Sequence, residues 1–155
     1  MRRDKVRLKI VEACKESEER VEIYCKQQTS LVKSIIQLVK GNQPDLIGTY
    51  NEEKQIIDIE KVYYFEAVEK KCFAYLEKKV LEVSYTLAQI EEDLKEYGFI
   101  RINKSSIVCI YKIEKLRCAV NMRVIVVLDN GEELVISRHY KKTFEAYLKS
   151  KRGLK

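Results

Sequence analysis

Two short polar windows carry the residue types in this 155-residue chain that could do chemistry. Arg101, Asn103, Lys104, Ser105 and Ser106 form one, set between the apolar runs Phe99–Ile102 and Ile107–Ile110. Ser137-Arg138-His139-Tyr140 forms the other, following an apolar run and opening an amphipathic one. A polar connection between two strands can present donors to an anionic surface while the strands anchor it in the core. Lysine and arginine neutralise phosphates or donate to guanine edges, and asparagine can pair with adenine. A helix N-terminus with serine and arginine beside it suits a phosphate contact.

Catalysis lacks parts. A nucleophilic cysteine or serine needs a base within hydrogen-bonding reach, and His139 is the only imidazole, leaving Cys109/His139 as the sole conceivable pair. The five cysteines, Cys14, Cys25, Cys72, Cys109 and Cys118, contain no C-x-x-C spacing, so zinc-site patterns have no counterpart. They read as reduced, mostly buried thiols. The five glycines are scattered and form no phosphate-binding loop. Paired acids such as Glu52-Glu53 and Glu132-Glu133 fall in turn-like stretches, where solvated charge is the expected role. The chain is read as a non-enzyme with no cofactor, metal or small-molecule substrate.

The net charge of +6 is uneven along the chain. Residues 1–41 carry +4, 45–98 carry −6, 99–123 carry +5, 124–137 carry −3 and 138–155 carry +6. Both polar windows therefore open basic stretches beside an acidic middle, the footprint of a face that meets a polyanion. The longest uncharged apolar run, Val124–Leu128, is far too short for a membrane span, and charges interrupt the residues after Met1-Arg2-Arg3 before a signal sequence could form. A soluble, cytoplasmic protein is expected.

The elements that must position these windows follow from periodicity. Lys5–Val11 and Glu19–Cys25 alternate as strands do, and Leu31, Val32, Ile35, Ile36 and Val39 have helical spacing from an N-cap at Thr29 or Ser30 to the stop at Gly41-Asn42. Strands are predicted over 55–60, 62–65, 72–76 and 80–84, then an amphipathic helix from Leu87 to about Tyr97, ended by Gly98. Further strands are predicted over 99–102, 107–110, 113–119, 123–128 and 133–137, with Asp129-Asn130-Gly131 as a hairpin turn. A last helix runs from about His139 or Tyr140 through Phe144, Tyr147 and Leu148. The whole reads as α+β and β-dominated, divided into a ββα N-terminal extension at 1–43 and a main domain at 44–155.

Four motifs in order resemble a known family: Val62-Tyr-Tyr-Phe-Glu-Ala67, the helix Leu87–Leu94, Gly98-Phe-Ile-Arg-Ile-Asn-Lys-Ser-Ser-Ile-Val108, and Asp129-Asn-Gly-Glu followed by Ser137-Arg-His-Tyr140. Over about residues 45–150 the sequence resembles the LytTR-type DNA-binding domain of bacterial transcription regulators. The resemblance implies an elongated, mostly antiparallel β fold that reads DNA with loops entering successive major grooves. It implies base contacts by Lys104, flanked by Asn103 and Ser105, and by Arg138, with Lys70 and Lys71 in a third contact loop. Arg101, Lys141 and Lys142 are then phosphate contacts or structural supports.

The sequence departs from the family where Asn103-Lys104 stand in place of a frequent histidine-arginine and where Cys109 replaces asparagine. Lysine keeps the charge but lacks the planar fork that grips guanine. The forty upstream residues are too few for a phosphoacceptor receiver domain, so the resemblance is to the short, stand-alone regulators. Expected partners are double-stranded DNA, a second copy of the chain, through the Thr29–Lys40 helix or on direct repeats, and a restraining membrane protein. The rival readings are a protein-interaction module that keeps the fold and sequesters a partner, and a general RNA-binding module.

Overall fold

Alternation decides which side of a strand is buried, and three segments of this chain are apolar on both sides. In Phe99–Asn103 and Ser106–Cys109 successive side chains point to opposite faces, and in Val62–Val68 they do so on either side of an irregularity between Val62 and Tyr64 that turns both Tyr63 and Tyr64 to one face. Val62, Phe65, Phe99, Ile107 and Cys109 enter one buried cluster, and Tyr64, Ile100, Ile102 and Val108 enter another. Full burial of a large apolar side chain contributes about 1.5–3 kcal/mol. A one-residue slip would exchange the two sets, so burial on both faces fixes the register.

The computed structural model describes residues 21–40 and 43–153, and the chain divides into two units between Asn42 and Gln43. In the N-terminal unit, helix α1 spans Ser30–Lys40. Thr29 caps it, its Oγ1 accepting the Val32 N–H at 3.3 Å. The expected strand at 5–11 lies outside the described residues. That at 19–25 is described only from Val21, and residues 21–25 form no strand, with Val21, Ile23 and Tyr24 exposed. An alternating pattern becomes a strand only when a ladder partner and a buried face exist, and among the described residues this segment has neither. Of the expected ββα extension, the described residues contain the helix.

The C-terminal unit has ten strands: β1 (Leu46–Tyr50), β2 (Glu53–Ile57), β3 (Val62–Val68), β4 (Lys71–Leu76), β5 (Val80–Val83), β6 (Phe99–Asn103), β7 (Ser106–Cys109), β8 (Ile113–Cys118), β9 (Val124–Leu128) and β10 (Glu133–Ile136). Helix α2 (Leu87–Leu94) lies between β5 and β6, and α3 (Arg138–Arg152) follows β10. One sheet has the order β2-β1-β5-β4-β3-β7-β6 and the other β10-β9-β8. Every pairing is antiparallel, so the β-dominated α+β expectation holds.

Strand β1 was not predicted. Its sequence, Leu46-Ile-Gly-Thr-Tyr50, carries a glycine where most strands would not. The reason is close approach: a Cβ on Gly48 would lie 2.6 Å from Ile57 Cδ1 and 2.7 Å from Leu81 Cβ. Packing across the sheet demands the residue that local pattern disfavours.

The other stops are local. Helix α2 begins with a capping box between Thr86 and Gln89, and the following turn ends at Gly98 in the left-handed region with φ 92°. The predicted β9–β10 turn forms, with Gly131 at φ 88° and its N–H donating to the Leu128 carbonyl at 2.9 Å. Helix α2 packs into the first cluster through Leu87, Ile90 and Leu94. Helix α3 and the three-stranded sheet pack into the second through Phe144, Tyr147, Leu148, Val126 and Ile136.

Candidate nucleic-acid interface

Register places three connections at one end of the larger sheet or against it. β3 runs antiparallel to β7 with Glu66 opposite Ser106, so the β3–β4 and β6–β7 turns share an end. The Ala67 N–H donates to the Ser105 carbonyl at 2.8 Å there. The β10–α3 junction is fixed to the same end, because the Ser137 N–H donates to the Ile102 carbonyl at 2.9 Å.

In the β6–β7 connection, Asn103 pairs with Ser106, leaving Lys104 and Ser105 as the turn. Asn103 Oδ1 accepts from the Ser105 N–H at 2.9 Å and from Ser105 Oγ at 3.1 Å, a side-chain-closed turn. Asn103 Nδ2 donates to the Val135 carbonyl at 2.9 Å, which ties the turn to β10 of the other sheet. Arg101 lies beneath, its side chain only 19% exposed. Its Nε donates to the Asn103 carbonyl at 3.0 Å, Nη2 donates to the Lys104 carbonyl, and Nη1 lies 3.5 Å from Glu91 Oε2 of α2. Arg101, Asn103 and Ser105 are thus engaged in building the turn. Lys104 is exposed at its tip, with no side-chain partner among the described residues.

The β10–α3 junction holds its arginine differently. Arg138 is exposed, and its Nε donates to the Asn121 carbonyl at 3.0 Å, in the β8–β9 connection. Its terminal nitrogens make no described hydrogen bond. Ser137 is the N-cap of α3 but makes no side-chain cap bond, and the first turn contains no acid. The positive end of the helix dipole is therefore not neutralised by its own first turn. Lys141 is half-buried and Lys142 exposed on that helix.

In the β3–β4 connection Glu69 and Lys70 both have positive φ, 49° and 68°, forming a tight two-residue turn closed by the pair Val68 and Lys71. Lys70 is exposed, whereas Lys71 Nζ lies 3.1 Å from Glu82 Oε2 on β5. Other bases of the basic stretches also serve the fold. Arg117 pairs with Glu133 at 2.7 Å, Lys151 with Glu96 at 3.4 Å, and Arg152 donates to the Ile110 and Ile113 carbonyls at 3.2 and 3.1 Å.

Sequence reading missed Asn121, because the residue that holds Arg138 does so through its main chain. The signal that could have found the β8–β9 connection was an apolar pair, Val120 and Met122, in a predicted strand-to-strand link. The conceivable nucleophile pair does not form. Cys109 is buried in the first core cluster, where burial pushes its thiol up, while His139 is exposed with its ring edge-on to Tyr140 at 4.9 Å. Burial likewise pushes Cys72 up to about 11, which makes both thiols poor nucleophiles. Among the described residues no group of three or more His, Cys, Asp and Glu could hold a metal ion, and no helix is long and apolar enough to cross a membrane.

Comparison with known proteins agrees with this fold. Residues 52–149 match the family described as the LytTr DNA-binding domain. A solved LytTr DNA-binding domain from Bacillus cereus superposes with a TM-score of 0.64 at 26% identity, covering 67% of this chain and 95% of that one. Two Staphylococcus aureus proteins, uncharacterized HTH-type transcriptional regulators SAS2254 (strain MSSA476) and SA2153 (strain N315), are each 30% identical. These matches cover 86% of this chain and 92% and 91% of the relatives. Their name refers to a helix-turn-helix, yet here five strands separate α2 from α3. The staphylococcal alignment, 136 residues for SAS2254, is longer than 43–155 and so reaches into the N-terminal unit. On the family match and the superposition together, the chain belongs to the LytTr DNA-binding domain family.

Proposed function

We propose that this chain is a sequence-specific DNA-binding transcriptional regulator that reads successive major grooves with its connections. Lys104 and Arg138 contact bases, Lys70 contacts DNA from the β3–β4 turn, and Lys141 and Lys142 contact phosphates. Arg101, Asn103 and Ser105 support the Lys104 turn, and Lys71 ties β4 to β5 through Glu82. The observation that carries the reading is the fixed juxtaposition of the two windows: Ser137 is bonded to Ile102 and Asn103 to Val135, so two exposed cations ride on one framework.

In this reading the chain binds direct repeats in promoters as two copies in the cytoplasm, and a membrane protein restrains it. The unit at 1–43 serves pairing or regulation, and 44–155 reads DNA. The reach of the staphylococcal match into the N-terminal unit supports a shared role for that unit, and α1 exposes Leu31, Leu38 and Val39.

The test is a mobility-shift titration on duplex from the chain's own upstream region and on a scrambled duplex, at two salt concentrations. Specific binding by wild type, weakened on the promoter by Lys104→Ala and by Arg138→Ala, supports the reading. No shift at low salt overturns it in favour of a sequestering module. Inserting about half a helical turn, roughly 5 base pairs, between repeats should abolish cooperative binding if two copies act together.

A further inference from the structure

We infer that the β8–β9 connection, Ala119–Arg123, is an additional sequence-reading element in which Val120 and Met122 contact thymine methyl groups beside the base pair read by Arg138. The inference rests on the DNA reading proposed above and adds a specificity determinant to it.

The connection is held in shape. Cys118 pairs with Val124 across the base, and the Ala119 N–H donates to the Arg123 carbonyl at 2.8 Å. Asn121 and Met122 lie in the left-handed region, at φ 63° and 60°. Asparagine tolerates that region, whereas methionine adopts it only where the surroundings determine it. This backbone turns the Asn121 carbonyl onto Arg138 Nε at 3.0 Å. With Nε occupied, the two terminal nitrogens remain for a fork on guanine O6 and N7.

Two apolar side chains flank that carbonyl. Val120 is 83% exposed and Met122 74%, which makes them two of the three most exposed large apolar side chains among the described residues of the C-terminal unit. Isolated exposed hydrophobics are ordinary. Here both sit one residue from the atom that orients the proposed base-reading arginine. The apolar group that a major groove displays is the thymine C5-methyl. Consecutive Cα atoms lie about 3.8 Å apart, close to the rise of one base-pair step, so neighbours of Asn121 can reach base pairs next to the one facing Arg138. A docking site for a protein would use the same apolar tip, but would not call for its main chain to steady an arginine with an open fork.

The test uses the full chain and the duplex it selects from a random pool, with each thymine replaced in turn by deoxyuridine, which lacks only the methyl group. Wild type should lose about fourfold in affinity per contacted methyl, the factor corresponding to ~0.8 kcal/mol per buried carbon. The loss should be confined to positions beside the guanine whose replacement mimics Arg138→Ala. The Val120→Ser/Met122→Ser variant should bind the thymine duplex more weakly by about fourfold for each methyl that wild type contacts, and be indifferent to deoxyuridine. If Arg138→Ala weakens binding while wild type is insensitive to every deoxyuridine, or the serine variant keeps full methyl sensitivity, this inference fails and the DNA reading stands. If no duplex is selected, both fail.

Discussion

The β6–β7 turn and the β10–α3 corner each present an exposed cation, Lys104 and Arg138, at the same end of the larger sheet, but they are built in opposite ways. In the turn, a largely buried arginine and an asparagine saturate the backbone, and a lysine with no partner stands on top. At the corner, a main-chain carbonyl steadies an exposed arginine by one nitrogen and leaves its fork open. Charge in a basic stretch thus divides into cations that make the framework and cations the framework displays. Residue type alone does not separate them, since both arrangements use arginine.

The largest effect should come from removing a framework cation. Arg101→Ala deletes three hydrogen bonds and strands the Asn103 and Lys104 carbonyls, and should lower unfolding free energy by about 2–3 kcal/mol in urea titrations. Affinity for promoter and scrambled duplex should fall together. If stability is unchanged, the distinction between the two constructions is wrong.

Arg138→Ala should do the reverse. Specific affinity falls by about 1–3 kcal/mol while the urea midpoint stays put, and Arg138→Lys, which keeps charge without the fork, should restore non-specific binding only. Lys104→Ala should cost about 1 kcal/mol on the promoter, and a reduction of about one in the slope of log affinity against log salt would mark it as a phosphate contact instead of a base contact. The smallest effect belongs to Lys71→Ala. Its exposed pair with Glu82 contributes within about 0–1 kcal/mol to stability, and DNA affinity should barely change, in contrast with Lys70→Ala.

Much of the fold was legible because it is encoded locally. The apolar runs at Val62–Phe65 and Cys72–Leu76, the Thr86 and Gly98 signals and Asp129-Asn-Gly131 each have a counterpart in the structure. Strand β1 was not legible, since Gly48 is dictated by Ile57 and Leu81 from other strands. The alternation at Glu19–Cys25 misled over its described residues, because a strand is a pairing and the pattern states only a preference. In the candidate interface, residue types and motif order singled out Lys104 and Arg138. The roles of Arg101 and Asn103 as supports needed coordinates, because their partners include the backbone of Lys104 and of Val135, thirty-two residues from Asn103.

What the sequence by itself determined was the class: periodicity of two, placed stops and ordered motifs specify an antiparallel β-rich domain of this family, because such signals act over a few neighbouring residues. Only the tertiary structure decided which cations are free. That outcome depends on which carbonyls and carboxylates the fold brings within about 3 Å of each guanidinium or ammonium. Glu91, Val135 and Asn121 reach their partners through the packing of α2, β10 and the β8–β9 connection, a proximity that no local pattern encodes.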